Sequence, residues 1–195
     1  MQQIVLPIKD DQTLKAVQTQ LLQNKRVGMR NFTIFQLGKA TLLRVSDVLK
    51  LQKSDIYMED GQVRTVAFLH DQKTGKANHV YLNPVKEDLI HYYEWIQDKE
   101  IHSRWLFPST RDFSRHISRK TFYKTMSEVG KKLGINYLGT HTMRKTGAYR
   151  VYTQSENDIG LVMKLLNHSS QSSTLQYLGL DLSSCQKALD KIDFG

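Results

Sequence analysis

Cysteine is almost absent from this chain: Cys185 is the only one. A lone cysteine excludes an internal disulfide and any cysteine-based metal cluster, and it points to a reducing cytosol. Long hydrophobic runs are also missing. None approaches the roughly 18–20 apolar residues that span a bilayer. The N-terminus, Met1-Gln2-Gln3 followed by a mixed-charge stretch, lacks the basic start and apolar core of a signal peptide. No membrane partner is expected, and the expected location is cytoplasmic. There are no internal repeats, low-complexity tracts or convincing linkers, so residues 1–195 read as a single domain with one sizeable core. Acidic residues are the last shortage. Nineteen Asp and Glu face 28 Lys and Arg, a formal net charge of +9. A surplus of that size suggests a polyanionic partner such as nucleic acid, against the plainer reading of a merely basic soluble protein.

What is present is mostly helical in period. Leu14, Val17, Leu21 and Leu22 follow the Asp10/Asp11 start at helical spacing, predicting a helix within residues 8–24. Gly28 reads as a turn and Asn31 as the cap of a second apolar stretch through Phe32, Ile34, Phe35 and Leu37. Val45, Val48, Leu49 and Leu51 make a buried stripe with Arg44 at its leading edge and Asp47 three residues on, close enough to orient a guanidinium. After Asp60-Gly61 the period changes to two, from Val63 to His70, and Val80–Leu82 returns beyond a Lys73-Thr74-Gly75-Lys76 tip. That is a hairpin pattern. Helical period resumes from Val85 to Ile96, and the basic segment Ser114–Leu133 reads as another helix. Its charged run is explained as well by a solvated face as by a DNA-contacting one. Thr140 reads as the N-cap of a helix from His141, and Asp158 as the start of one ending at Asn167. Asparagine tolerates the left-handed conformation, so His168 is expected to project from the turn that follows. Ser172/Ser173 open a further helical turn, and Leu182, Cys185, Leu189 and Ile192 mark an amphipathic terminal helix.

Four groups in the last third of the chain suit phosphodiester chemistry: His141, Arg144, His168 and Tyr177, the last nine residues beyond His168. Taken singly, each has an ordinary explanation in capping, turn or surface hydrogen bonding. Arg44 likewise can be a simple salt bridge to Asp47. Together, and in this order, the residues are not explained that way.

The chain resembles the catalytic domain of the tyrosine recombinases, the phage-integrase family. LLRVSDVLKLQKSDI is similar to that family's first arginine box, and QKTGKANHVYLNP to the segment carrying its lysine. GTHTMRKTGAY resembles the H-x-x-R box, and LLNHSSQSSTLQYLGL the L-G-H-S-S…Y box. The likeness covers about residues 27–180. It implies an α+β, mainly α-helical fold with a small three-stranded antiparallel sheet at one edge. By resemblance Arg44 and Arg144 clamp a DNA phosphate, His168 adds a donor, His141 is the base, and Tyr177 is the nucleophile. Lys73 is the favoured general acid for the leaving 5′ oxygen, with Lys76 as its competitor and Asp47 in support. The chemistry needs these types: arginine forks neutralise phosphate oxygens, and only about one free tyrosine in a thousand is ionised at pH 7, so a base helps. No cofactor and no metal-ligand set is read from the sequence. The implied partner is double-stranded DNA, with dimer-to-tetramer self-association on it, and with accessory DNA-bending or directionality proteins. The implied setting is the nucleoid of a bacterium or phage-infected cell.

Asn167 stands where the family usually has glycine, Lys53 lies near a position where an aromatic is common, and Lys145 is given no role. Roughly 27 residues precede the first matching segment, too few for the family's N-terminal DNA-binding domain, so an excised catalytic domain or a minimal recombinase is expected. Residues 182–195 are expected either to close the chain's own core or to dock on a neighbouring subunit. A type IB topoisomerase, a DNA-end resolvase and a non-catalytic DNA-binding protein are the alternative outcomes of the same pattern.

Overall fold

A computed structural model of the chain describes residues 5–70, 77–180, 190 and 192–193. Helix α1, Asp11–Leu22, starts where Asp10 caps it by accepting from the Thr13 amide at 2.7 Å. It buries Leu14, Val17 and Leu21 as the period requires. The next helix corrects the sequence reading. Gly28 opens α2, Gly28–Thr41, and Asn31 lies buried inside its first turn. The turn is made earlier, by Asn24, whose side chain accepts from the amides of Arg26 and Val27. Glycine is needed at the helix start because a Cβ on Gly28 would sit 2.4 Å from the Leu22 carbonyl oxygen. Asn31 instead accepts from the buried Arg30 guanidinium.

Helix α2 is buried on nearly all sides, with Thr33, Ile34, Phe35 and Leu37 inaccessible. It leads through Leu42 to α3, Val45–Leu49, and α4, Lys53–Ile56. At the head of α4, Lys53 donates to the Ile101 carbonyl at 2.9 Å. The lysine at the position where an aromatic was expected thus ties α4 to the segment after the fifth helix.

Among the described residues the sheet has two strands, not the expected three. Strands β1, Val66–His70, and β2, Ala77–Tyr81, pair antiparallel with Phe68 opposite His79 and Val66 opposite Tyr81. A third strand would have to come from Tyr57, which makes only a single bridge to Val63. The chain is helical up to Ile56 and turns again at Gly61 (φ 84°). No length is left for a ladder. Ala67 and Val80 face the core while Phe68 and Tyr81 face outward.

Helix α5, Lys86–Asp98, follows a short 3-10 turn at Asn83–Val85. The basic helix α6 is Arg119–Leu133, beginning at its Ser118 cap rather than at Ser114. The residues before it turn at Phe113 and Ser114, with Pro108 bridged to His116. Helix α7 is Thr142–Gln154, α8 Ile159–Leu166 and α9 Gln171–Tyr177. The caps shift by one residue for α7, where His141 replaces Thr140, and by two for α9, where Ser170 replaces Ser172. The expected terminal helix lies outside the described residues. No helix among those described is long and apolar enough to cross a membrane.

The larger apolar cluster is centred on Phe35, Tyr92, Phe107 and Phe122. Its two buried phenols are satisfied, Tyr57 by the Leu89 carbonyl at 2.8 Å and Tyr92 by the Leu106 carbonyl at 2.9 Å. A smaller cluster joins Leu42 to Ala148, Val162, Leu166 and Leu178 beneath α8 and α9. Helices α2 and α7 meet backbone to backbone: a Cβ on Gly147 would lie 1.9 Å from the Lys39 carbonyl oxygen, and one on Gly38 would meet the Met143 sulfur at 2.4 Å. Gly147→Ala is therefore expected to destabilise the protein by about 2–4 kcal/mol through overpacking and helix displacement. Denaturant unfolding measures this; an unchanged midpoint would mean the two helices do not cross there.

Candidate active site

The crossing of α2 and α7 brings two arginines together. The chain leaves α2 through Leu42 in the left-handed conformation (φ 56°), and Arg44 becomes the extended cap of α3. Its carbonyl accepts from the Asp47 and Val48 amides at 2.9 and 3.0 Å. Buried Val45, Val48 and Leu49 hold that cap in place. Arg144 lies in the first turn of α7, only 6% exposed, and donates from Nη2 to the Leu166 carbonyl at 3.0 Å. Leu166 ends α8, so a cation sits at the negative end of a helix. Arg44, Asp47, Arg144 and Asn167 line one pocket of about 530 Å³, whose other wall includes His79 and Tyr81 of β2.

Asn167 ends α8 in the left-handed conformation, φ 55° and ψ 48°, as the sequence predicted. The His168 amide reaches back to the Met163 carbonyl at 2.9 Å. The imidazole is then oriented by Thr174, whose Oγ1 lies 3.1 Å from Nδ1. That hydroxyl donates to the Ser170 carbonyl at 2.9 Å. Its one hydrogen is thereby used, so Nδ1 carries the proton in the neutral ring and donates to Thr174. Nε2 is left for a ligand: an acceptor in the neutral ring, a donor once protonated.

Tyr177 ends α9 with its ring edge-on to His168, centroids 5.2 Å apart at 89°. Its hydroxyl is buried and has no hydrogen-bond partner among the described residues. Burial pushes the phenol up to about 12, with Arg144 and Arg44 pulling it back down. His141 caps α7, and its carbonyl accepts from the Lys145 amide. Burial, and then the charges of Arg119, Arg144, Lys145 and Arg44, hold His141 below the ordinary imidazole range. His168 is lowered too, by burial and then by Arg144 and Arg44. Five of the six expected site residues are thus drawn into one electrostatic neighbourhood. The sixth is not placed: Lys73 and its competitor Lys76 lie outside the described residues.

Lys145 was passed over by the sequence reading. Its Nζ donates to the Val5 carbonyl at 2.7 Å and lies over the Tyr177 ring, 4.9 Å from the centroid. Lys145 follows His141 by four residues, one helical turn, so the helical period was the signal that could have placed it beside the site. The N-terminal segment that Lys145 grips is held further by Thr146, which accepts from the Ile8 amide at 3.0 Å. Lys9 in turn donates to the Gly179 carbonyl at 2.9 Å. Arg119 was read only as part of a basic run, yet its charge reaches His141. Among the described residues, no group of three His, Cys, Asp or Glu side chains could hold a metal ion.

A mainly helical domain with a small sheet is also the fold of solved recombinases and integrases. The XerH site-specific recombinase in a post-cleavage complex with difH superposes with a TM-score of 0.70 at 19% identity, over 97% of this chain and 53% of that one. A λ integrase fragment, crystallised as a dimer on a core site, gives 0.64 at 18% identity over 100% and 65%. The chain belongs to the phage integrase family, whose sequence pattern matches residues 10–183. YoeC of Bacillus subtilis, a probable integrase/recombinase, is 32% identical over 186 residues, 95% of each chain. The tyrosine recombinase XerD of Yersinia pestis is 30% identical over 161 residues, 76% of this chain but 49% of XerD. The chain thus spans nearly all of YoeC and about half of XerD.

The lowered histidines have a measurable consequence. Each binds fewer protons in the folded protein than in the unfolded chain just below the ordinary value of about 6.5, so its contribution to stability is present above that pH and is lost on acidification. Imidazole NMR titration of the free protein should give midpoints below about 6.5 for His141 and His168. Adding a polyanion at the arginines should move the His168 midpoint upward. Midpoints at or above the ordinary value in the free protein would contradict the cationic surroundings described.

Proposed function

We propose that the chain breaks and rejoins DNA by transesterification, as a site-specific recombinase acting through a 3′-phosphotyrosyl intermediate. The Tyr177 oxygen attacks a phosphorus, the bond from phosphorus to the 5′ oxygen breaks, and the phenolic proton passes to His141. The 5′ oxygen takes a proton from Lys73, or from Lys76, and leaves as a hydroxyl. Energy is retained in the phosphotyrosyl bond, so a 5′-hydroxyl from another strand reverses the step without ATP. Arg44 and Arg144 neutralise the non-bridging oxygens, as divalent ions do in two-metal nucleases, with Asp47 supporting Arg44. Protonated His168 adds a donor from Nε2.

The observation that carries this reading is the Tyr177 phenol, buried without a described partner, against His168 and in the field of two arginines. With a phenol raised to about 12, only about one molecule in 10⁵ is ionised at pH 7, a hundredfold fewer than for free tyrosine. Burial thus disfavours a pre-formed phenolate in the free protein. In this reading the proton leaves during attack, and His141 is the base that takes it. Double-stranded DNA is the partner. Self-association on it, as dimer to tetramer, and assistance from DNA-bending or directionality proteins belong to the same proposal.

A suicide DNA substrate that traps the covalent adduct tests the nucleophile. Tyr177→Phe should abolish the adduct and leave non-covalent affinity within about threefold, since only a hydroxyl without a described partner is removed; an adduct persisting in the variant sinks the assignment. Arg44→Ala should slow adduct formation by about 10²–10³-fold, the usual cost of one donor at a developing anion. The general acid is identified with a 5′-bridging phosphorothiolate, whose thiol leaves without protonation. Lys73→Ala should be slow on the normal substrate and restored on this one. If Lys76→Ala is the variant restored, the role passes to Lys76.

A further inference from the structure

The outer face of the two-stranded sheet carries aromatics where a solvated face would carry polar residues. Phe68 is 72% exposed and Tyr81 54% exposed. The register puts Phe68 opposite His79 and Tyr81 opposite Val66, so all four share that face. Phe68 and His79 meet edge to face at 4.8 Å, and Asn83 donates to the Tyr81 hydroxyl at 2.5 Å. These contacts pre-order the rings. No core contact demands them, because Ala67 and Val80 on the opposite face already close the core. Two residues of the face reach the arginine site: His79 and Tyr81 line the pocket that also holds Arg44 and Arg144, and Phe68 stands one strand further out, opposite His79.

Strand transfer creates an occupant for such a face. Once the 5′-hydroxyl is released, its nucleotide has to unpair before it can join another strand. An unpaired base exposes a π-face whose phosphate neighbours are anionic. Aromatic rings beside paired guanidiniums match both features at once. We propose that Phe68, His79 and Tyr81 form a stacking platform for the unpaired nucleobase next to the cleaved phosphate. The inference rests on the strand-transfer reading above, but the platform binds without chemistry and can be tested without it.

The test uses the full chain carrying Tyr177→Phe and a nicked duplex with one unpaired 5′ nucleotide, 2-aminopurine, at the nick. Stacking on the platform should quench the probe on binding, and the flapped duplex should bind more tightly than the same duplex fully paired. Adding Phe68→Ala, or Tyr81→Ala, should relieve the quenching and cut the preference for the flap about tenfold. Phe68→Trp, which keeps a stacking surface, should preserve both. Equal quenching with and without Phe68 overturns the platform. So does a Phe68→Ala protein whose changed property is self-association in sedimentation, which would assign the face to a second copy of the chain. A failed suicide-substrate assay with the wild-type chain would reject the strand-transfer reading and leave the flap measurement to stand or fall separately.

Discussion

The Lys39 carbonyl oxygen occupies the space a side chain would fill at residue 147, and the site depends on that close contact. Glycine at position 147, aided by Gly38 against Met143, lets α7 lie directly on α2. The Arg44 segment leaves the C-terminal end of α2, and Arg144 enters from the N-terminal turn of α7. Two guanidiniums from positions one hundred residues apart reach one pocket because two backbones touch. A methyl group at the crossing would push the helices apart, and with them the two guanidiniums.

Around that crossing the chain gathers positive charge. Burial, and then the charges of Arg44, Arg144, Lys145 and Arg119, hold His141 below the ordinary imidazole range; burial with Arg144 and Arg44 does the same for His168, and those two arginines draw the buried phenol part of the way back down. Like charges brought together in a folded protein are a cost unless a ligand anion offsets them. An anion bound between the arginines does so, and it also favours the protonated form of His168.

How far the sequence could be read depended on how local the determining interaction was. The α1 start at Asp10, the α8 end at Asn167 and the nine-residue step from His168 to Tyr177 are set by neighbours within a few positions, and the structure places them as read. Errors came where a distant group decided. Gly28 opens a helix because the turn is already made at Asn24, and the Leu22 carbonyl leaves no room there for any residue with a Cβ. The third strand is missing from the described residues because α4 uses up the chain as far as Ile56. Lys145 was visible only to helical periodicity, and its partners Val5 and Tyr177 are far away in sequence.

The sequence by itself determined which chemical groups exist and in what order: two arginines, two histidines, a tyrosine at fixed spacing and a surplus of cations. Those follow from residue identity and from short-range backbone preference, which act wherever the chain is. Only the tertiary structure decided that Arg44 and Arg144 share a pocket and that the Tyr177 hydroxyl is buried. It also decided that aromatic side chains on a sheet edge border the same pocket. Burial and close approach are properties of packed elements, and no local spacing encodes them.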